Sequence, residues 1–333
     1  MEKVIIALDA MGGDYAPEQT VKGAVEAVNS SDEIRVILVG KQDMITKELE
    51  KYEYAKEDIE VVHASEIIDM GDVPTVAIKD KKDSSLVVAM RLVREGKADA
   101  LVSAGSTGAV LVGGQLVVGR LKGIKRPPLA PFIPTTKGFS LLIDCGANVD
   151  ARPEHLVQFA QMGSIYYENV MGKKNPTVAL LNIGTEEEKG NQLVKDTKPL
   201  MKECKNINYI GSVEARELVS GAADVIVCEA FVGNVVLKFF EGLALTLFGS
   251  LKEGLMSSTR TKLGALLVKP ALKGLKNQFD TSSQGGAPLL GLKGLVVKAH
   301  GNSGSKEIEI ALKQCISFKK QKINEKIKES ICD

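Results

Sequence analysis

A chain of 333 residues, 44% apolar and 26% charged, can bury one large core or two lobes, and this composition excludes a disordered polypeptide. Its 43 Lys and Arg against 42 Asp and Glu leave a net charge of +1, and with no Trp and 5% aromatic residues it has neither the field nor the stacking platforms of a nucleic-acid binder. Cys145, Cys204, Cys228, Cys315 and Cys332, with His63, His155 and His300, are too scattered for a zinc site or a disulfide framework, so no metal is expected and a reducing compartment is.

In chain order, Met1-Glu2-Lys3 is acid-bearing and too short for a signal peptide, and it runs into the first of nine expected strands. These cover 3–8, 34–39, 58–63, 99–103, 138–143, 177–182, 206–210, 223–227 and 294–298. Amphipathic helices are expected between them at 17–29, 84–95, 153–170 and 190–203, with Pro17 suited to a first turn. Residues 100–119 carry no charge and match a membrane span in length, but five glycines and four polar residues break the run. They read as strand, turn and buried helix. The alternation predicts an α/β fold, a three-layer α/β/α body with a large, mostly parallel, mixed sheet. A single body over 1–333 is expected, open to a two-lobed form, with no internal repeat and no low-complexity linker.

The segments after the strands carry the chemistry. They are Asp9–Asp14, Ser103–Ala109, Asp144–Asn148, Asn182–Glu186 and Phe231–Asn234, most with Asn, Ser or Thr beside glycine. Ligands of open α/β sheets sit beyond the carboxyl ends of the strands, where such loops let the backbone approach an anion. No GxGxxG, P-loop or GxSxG motif is present, so the expected ligand is a small phosphate-type anion, with no dinucleotide cofactor.

Jointly these loops resemble the bacterial phosphate acyltransferase family (PlsX). The likeness runs from Ile6–Asp14 through Lys82-Asp83-Ser84-Ser85, Ser103–Ala109, Leu142–Asn148 and Leu181–Gly190 to Gly285–Gly291 and Ala299-His300-Gly301. Phe231-Val232-Gly233-Asn234 with Lys238 is also similar to a segment of phosphate acetyl- and butyryltransferases. Three positions depart from the family pattern: Ser106 for asparagine, Glu229-Ala230 for Asp-Gly, and Asn302 after His300-Gly301. The resemblance implies an isocitrate/isopropylmalate dehydrogenase-like fold, a homodimer, no cofactor, and transfer of a long-chain fatty acyl group from acyl-acyl carrier protein to inorganic phosphate for phospholipid synthesis. It also implies a cytoplasmic protein held peripherally at the membrane, where it would hand acyl-phosphate to a membrane glycerol-phosphate acyltransferase.

In that reaction phosphate is the nucleophile, so the protein supplies positioning and electrostatics. Ser103, Gly105, Ser106, Thr107 and Gly108 are the expected phosphate cradle, with Asn148 a further donor. Asn182 and Asn234 are candidate amide donors to phosphate or oxyanion, Lys189 a candidate for neutralising charge, and His300 a candidate acid for the departing thiolate. Plainer roles stand beside these: Lys189 as a solvated charge after Glu186-Glu187-Glu188, His300 bonded to backbone, Ser103 closing its own turn, Asp9 and Asp14 ordering a loop, and Cys145 as packing.

Residues 252–280 are expected to form a basic amphipathic helical insertion, kinked at Pro270, with Leu263 and Leu267 on one side and Lys262, Lys269 and Lys273 on another. Such a helix suits an anionic membrane, an acyl carrier protein or a dimer tip. Two other functions stay open on sequence grounds: a non-catalytic regulator that binds carrier protein or membrane, and a nicotinamide-dependent dehydrogenase.

Overall fold

The computed structural model describes residues 3–279 and 285–331; residue 280, the expected end of the insertion, and Cys332 lie outside them. The chain opens with β1 (Val4–Asp9), α1 (Glu18–Asn29), β2 (Ile34–Gly40), α2 (Gln42–Leu49), β3 (Ile59–His63), α3 (Pro74–Asp80), α4 (Ser85–Arg94), β4 (Ala100–Ser103) and α5 (Thr107–Gly113). It continues with β5 (Phe132–Thr135), β6 (Gly138–Ile143), α6 (Pro153–Met171), β7 (Thr177–Asn182), α7 (Gln192–Glu203), β8 (Asn208–Glu214) and β9 (Val225–Val227). Two long helices follow, α8 (Ala230–Met256) and α9 (Thr259–Gln278), then β10 (Ala287–Leu289), β11 (Leu295–Lys298), α10 (Ser305–Lys320) and α11 (Ile323–Ile331).

The expected α/β fold forms, and its strands are divided between two sheets. The first has six strands in the order β10-β11-β4-β1-β2-β3, the second five in the order β5-β6-β9-β7-β8. Pairing is parallel except for β10 against β11 and β5 against β6. The chain therefore builds most of the first lobe, crosses to build the second, and returns with β10 and β11 to finish the first.

Residue alternation explains why both faces of the sheets are buried. Ile6, Leu8, Val36, Leu38 and Val102 point to one core with Val21 and Val25 of α1 and Ile308 and Leu312 of α10. Their neighbours Ala7, Ile37, Val39 and Leu101 enter a second core with Leu86 and Met90 of α4 and Val110 of α5. The first core runs on through Leu141, Ile143, Val178 and Leu180 to Phe159 and Tyr166 of α6, so it is shared by both sheets. Each fully buried Leu, Ile or Phe in it contributes ~1.5–3 kcal/mol. A third core, with Leu142, Ala179, Leu181 and Ile226, lies against Leu237 of α8.

Every expected strand forms. The two strands not anticipated, β5 and β10, are both antiparallel edge strands that contain a proline, Pro134 and Pro288. Proline lacks the N–H a central strand needs, so it obscures a strand in the sequence and is tolerated at a sheet edge.

The expected basic insertion is corrected in its limits. The segment 252–276 straddles two antiparallel helices that turn at Ser257-Ser258. The Ser258 hydroxyl accepts the Thr261 N–H at 3.2 Å, a helix-start signal in Ser257-Ser258-Thr259. α9 runs through Pro270 without ending there. The carbonyl this proline leaves unpaired belongs to Leu266, a residue 67% exposed on the hairpin.

Candidate active-site cleft

A cavity of about 250 Å³ opens between the two lobes. On the first lobe its wall is set by the ends of β1, β4 and β11. Asp9, buried at the end of β1, accepts the Ser103 hydroxyl at 2.7 Å, and that hydroxyl in turn accepts the Gly105 N–H at 3.1 Å. Burial pushes the Asp9 carboxyl up, against the Ser85 and Ser103 hydroxyls, the Met11 amide and the Lys298 charge. A Cβ on Gly12 would stand 2.4 Å from Asp9 Oδ2 and 2.8 Å from Gly105 N, so glycine here is what lets the two loops touch. Ser106 caps α5, accepting the Ala109 N–H at 3.5 Å. Thr107 lines the cavity, whereas Gly108 packs on α3, where a Cβ would meet Pro74 Cγ at 2.6 Å.

On the second lobe the Asp144–Asn148 loop is organised by one buried carboxylate. Asp144 accepts the N–H groups of Leu129 (2.9 Å), Ala147 (3.1 Å) and Asn148 (2.8 Å) and the Asn148 side-chain amide (2.7 Å). Burial pushes its pKa up to about 6 despite these four donors. Asn148 spends its other amide hydrogen on the Pro127 carbonyl at 2.9 Å, so its side chain holds the loop together. Cys145 lines the cavity, but burial pushes its thiol well above the ordinary value, which keeps it from acting as a thiolate nucleophile.

α8 starts at this loop. Glu229, one of the departures from the family pattern, caps it by accepting the Phe231 and Val232 N–H groups at 2.6 and 2.9 Å. Gly233 permits the contact: a Cβ there would lie 1.9 Å from the Asp144 carbonyl oxygen. From that anchor Asn234, Leu237, Lys238 and Glu241, spaced three and four apart, face the cavity. Lys238 pairs with Glu241 at 2.8 Å, and the other Glu241 oxygen lies 3.3 Å from Nε2 of half-exposed His300. Burial, followed by the Lys238 and Lys298 charges, holds the His300 imidazole below its usual range, with Glu241 opposing.

The floor is Lys298, the last residue of β11. It is buried, and its ammonium donates to the Ala299 carbonyl and, at 3.4 Å, to the Ala104 carbonyl. Burial, then the like charge of Lys238, brings its pKa down to about 8. Leu129, Pro131, Phe132 and Met70 make the apolar side of the cavity.

Of the residues singled out in the sequence, Thr107, Asn234 and His300 line this cavity together. Ser103, Gly105 and Ser106 build the wall behind Thr107. Asn182 and Lys189 stand apart from the lining: the Asn182 amide donates to the Gly184 and Lys189 carbonyls at 2.9 and 3.1 Å, closing its own loop. Buried Lys198 pins that loop further through the Glu186, Glu187 and Lys189 carbonyls at 3.0, 2.8 and 3.1 Å. Lys189 itself is exposed. Lys298 and Glu241 were not found by sequence reasoning. Their signals were there: a lysine ending the apolar run Leu295-Val296-Val297, and a carboxylate seven residues after Asn234 on the same helical face.

Residues 4–326 match the family described as fatty acid synthesis protein. A relative from Alkaliphilus oremlandii, named phosphate acyltransferase, is 55% identical over 326 residues, 98% of this chain and 97% of its own. In fold, a phosphotransacetylase from Streptococcus pyogenes superposes with a TM-score of 0.66 at 16% identity, over 94% of this chain and 93% of that one. A 4-hydroxythreonine-4-phosphate dehydrogenase from Burkholderia phymatum does so at 0.50 and 13% identity, over 95% of this chain and 98% of that one. These two likenesses place the two-lobed α/β/α body in a fold that acyltransferases and dehydrogenases share.

Proposed function

Since the chain belongs to the phosphate acyltransferase family, we propose that its substrates are a long-chain acyl-acyl carrier protein and inorganic phosphate and that its product is acyl-phosphate for phospholipid synthesis. A phosphate oxygen attacks the thioester carbonyl, the C–S bond breaks, and the thiolate leaving the carrier's arm takes up a proton. The observation that carries this reading is the cavity itself, where Asn234, Lys238, Lys298 and His300 converge beside an apolar wall. That combination suits a reaction in which one substrate is an anion, the other ends in a fatty chain, and the transition state is an oxyanion. Asn234, which lines the cavity, donates its amide to the oxyanion in this reading. His300, with Glu241 beside it, is the acid for the thiolate. Lys189, on its exposed loop, is left to act at the rim.

The helical hairpin supports the rest of the proposal. Leu267 is 84% and Leu263 63% exposed, near Lys262, Lys269 and Lys273, a surface suited to peripheral contact with an anionic membrane. There acyl-phosphate would pass to a membrane glycerol-phosphate acyltransferase. The apolar flank of α8, with Phe239 69%, Leu243 44% and Leu247 60% exposed at four-residue spacing, suits pairing with a second copy as a homodimer in the cytoplasm.

The test is to incubate the protein with phosphate and a long-chain acyl-carrier protein, with acyl-coenzyme A and nicotinamide cofactors in parallel. Acyl-phosphate is expected from the carrier substrate. Carrier binding without any acyl-phosphate would instead make the protein a regulator, and reduction of a nicotinamide would make it a dehydrogenase.

A further inference from the structure

We propose that the attacking phosphate is held as a dianion between Lys298, Lys238 and His300, with Lys298 the buried cation that fixes its position. This rests on the reading of the chain as an acyltransferase that uses inorganic phosphate, and it moves the phosphate off the glycine-rich cradle expected from the sequence.

Apart from Thr107, the side chains expected to form the cradle are committed within the protein or turned from the cavity. The Ser103 hydroxyl is committed to Asp9 and Gly105, Ser106 caps α5, and Gly108 faces Pro74. Lys298 is the reverse case. It stands opposite Ser103 in the β11–β4 ladder, 8% exposed, and lines the cavity. Among the described residues its ammonium has two carbonyl partners and no carboxylate within 4 Å. Buried charges are ordinarily paired, because desolvating an ammonium costs several kcal/mol. The acidic groups it feels are Asp9, whose Oδ2 accepts from Ser103 and whose Oδ1 is buried without a hydrogen-bond partner, and exposed Asp14.

The other charges around the cavity have the same sign. Lys238 reaches in from α8 and His300 from the end of β11, and the one carboxylate lining the cavity among the described residues, Glu241, is shared between them. With His300 protonated, the three cations exceed Glu241 by two charges, which a phosphate dianion balances. Each cation is an N–H donor to phosphate oxygen, and Thr107 adds a neutral hydroxyl at the same lining. A consequence follows for the acid. Burial, then the Lys238 and Lys298 charges, holds the His300 imidazole below its usual range, and an arriving anion offsets those charges, so binding of the nucleophile favours the protonated imidazole that the thiolate needs.

The same anion chemistry could come from the phosphodiester of the carrier's prosthetic arm, and kinetics separate the two sources. K298M should raise the KM for phosphate by about 10- to 100-fold, the loss of a charge-assisted hydrogen bond, and K238Q by about threefold to tenfold, with the KM for acyl-carrier protein unchanged within about twofold. Inorganic phosphate should raise the wild-type melting temperature and leave that of K298M where it was. A rise in the acyl-donor KM alone, or a phosphate KM unmoved by both substitutions, would overturn the assignment, as would a wild-type melting temperature that ignores phosphate. If K298M does not fold, K238Q, at a cavity-lining lysine whose side chain is largely exposed, decides. If no thioester yields acyl-phosphate, yet phosphate stabilises the wild type and not K298M, the anion site stands and the proposed reaction falls.

Discussion

Two apolar regions of this chain look alike in sequence and end in opposite places. Residues 100–119 carry no charge at all, yet they fold into β4, the short α5 and a following π-turn, where Leu101, Val102, Val110 and Val118 are buried and Leu116 alone among the large apolar residues is well exposed. The hairpin of α8 and α9 carries charge on either side of an uncharged run at 242–251, and leaves Phe239, Leu245, Leu247, Leu266 and Leu267 at 60% exposure or more. By length and composition α8 is, among the described residues, the one helix that could cross a membrane, with a mean hydropathy of 1.6 over 18 residues. The difference lies in small residues. Glycines let the first region approach its neighbours: a Cβ at Gly113 would stand 2.4 Å from the Met90 sulfur. In the hairpin, Gly242, Gly249, Gly254, Gly264 and Gly274 have nothing within 4 Å of such a Cβ. Both regions hold an uncharged run, and close packing at glycine buries the one while the other stays exposed.

Substitutions can break this comparison from either side. The largest effect is expected from the L263E/L267E double variant, which should weaken binding to anionic vesicles by about a hundredfold or more, as two buried leucines are worth ~3–6 kcal/mol together. Sedimentation with vesicles equal to that of the wild type would sink the membrane role. Next comes Leu101→Ala in the buried region, expected to cost ~2–5 kcal/mol in denaturant unfolding. A cost under ~1 kcal/mol would show that this strand is not packed as described. K269Q/K273Q should reduce vesicle binding by about tenfold or more at low salt, an effect that should fade as ionic strength rises. The smallest effect is Leu267→Ala without vesicles, within ~0.5 kcal/mol of the wild type, since its side chain packs on little. A larger loss in dilute protein would point to a contact with a second copy.

Much of the fold was legible because its strands are short, β-branched and buried on both faces, a pattern that requires no tertiary information. What escaped had specific causes. Pro134 and Pro288 concealed two edge strands, and the Ser257-Ser258 turn was overshadowed by Pro270, which a solvent-facing helix tolerates. Thr107, Asn234 and His300, which line the cavity, stood out because glycine or small polar residues surround them shortly after a strand ends. Lys298 and Glu241 escaped because one ends an apolar strand and the other lies two turns into a helix. Asn148 and Asn182 carried the same signal as Asn234 but close their own loops, and a side chain's hydrogen-bond partner is settled by three-dimensional neighbours.

The return of β10 and β11 to the first sheet also fixes an order of events during synthesis. β4 leaves the ribosome nearly two hundred residues before the strand that must lie beside it. At typical elongation rates of about 5–20 residues per second, the first lobe waits on the order of ten to forty seconds with one side of β4 unpaired. Lys298 and His300 arrive with that closing strand. A nascent chain thus acquires its last sheet partner and its principal cations at the same moment.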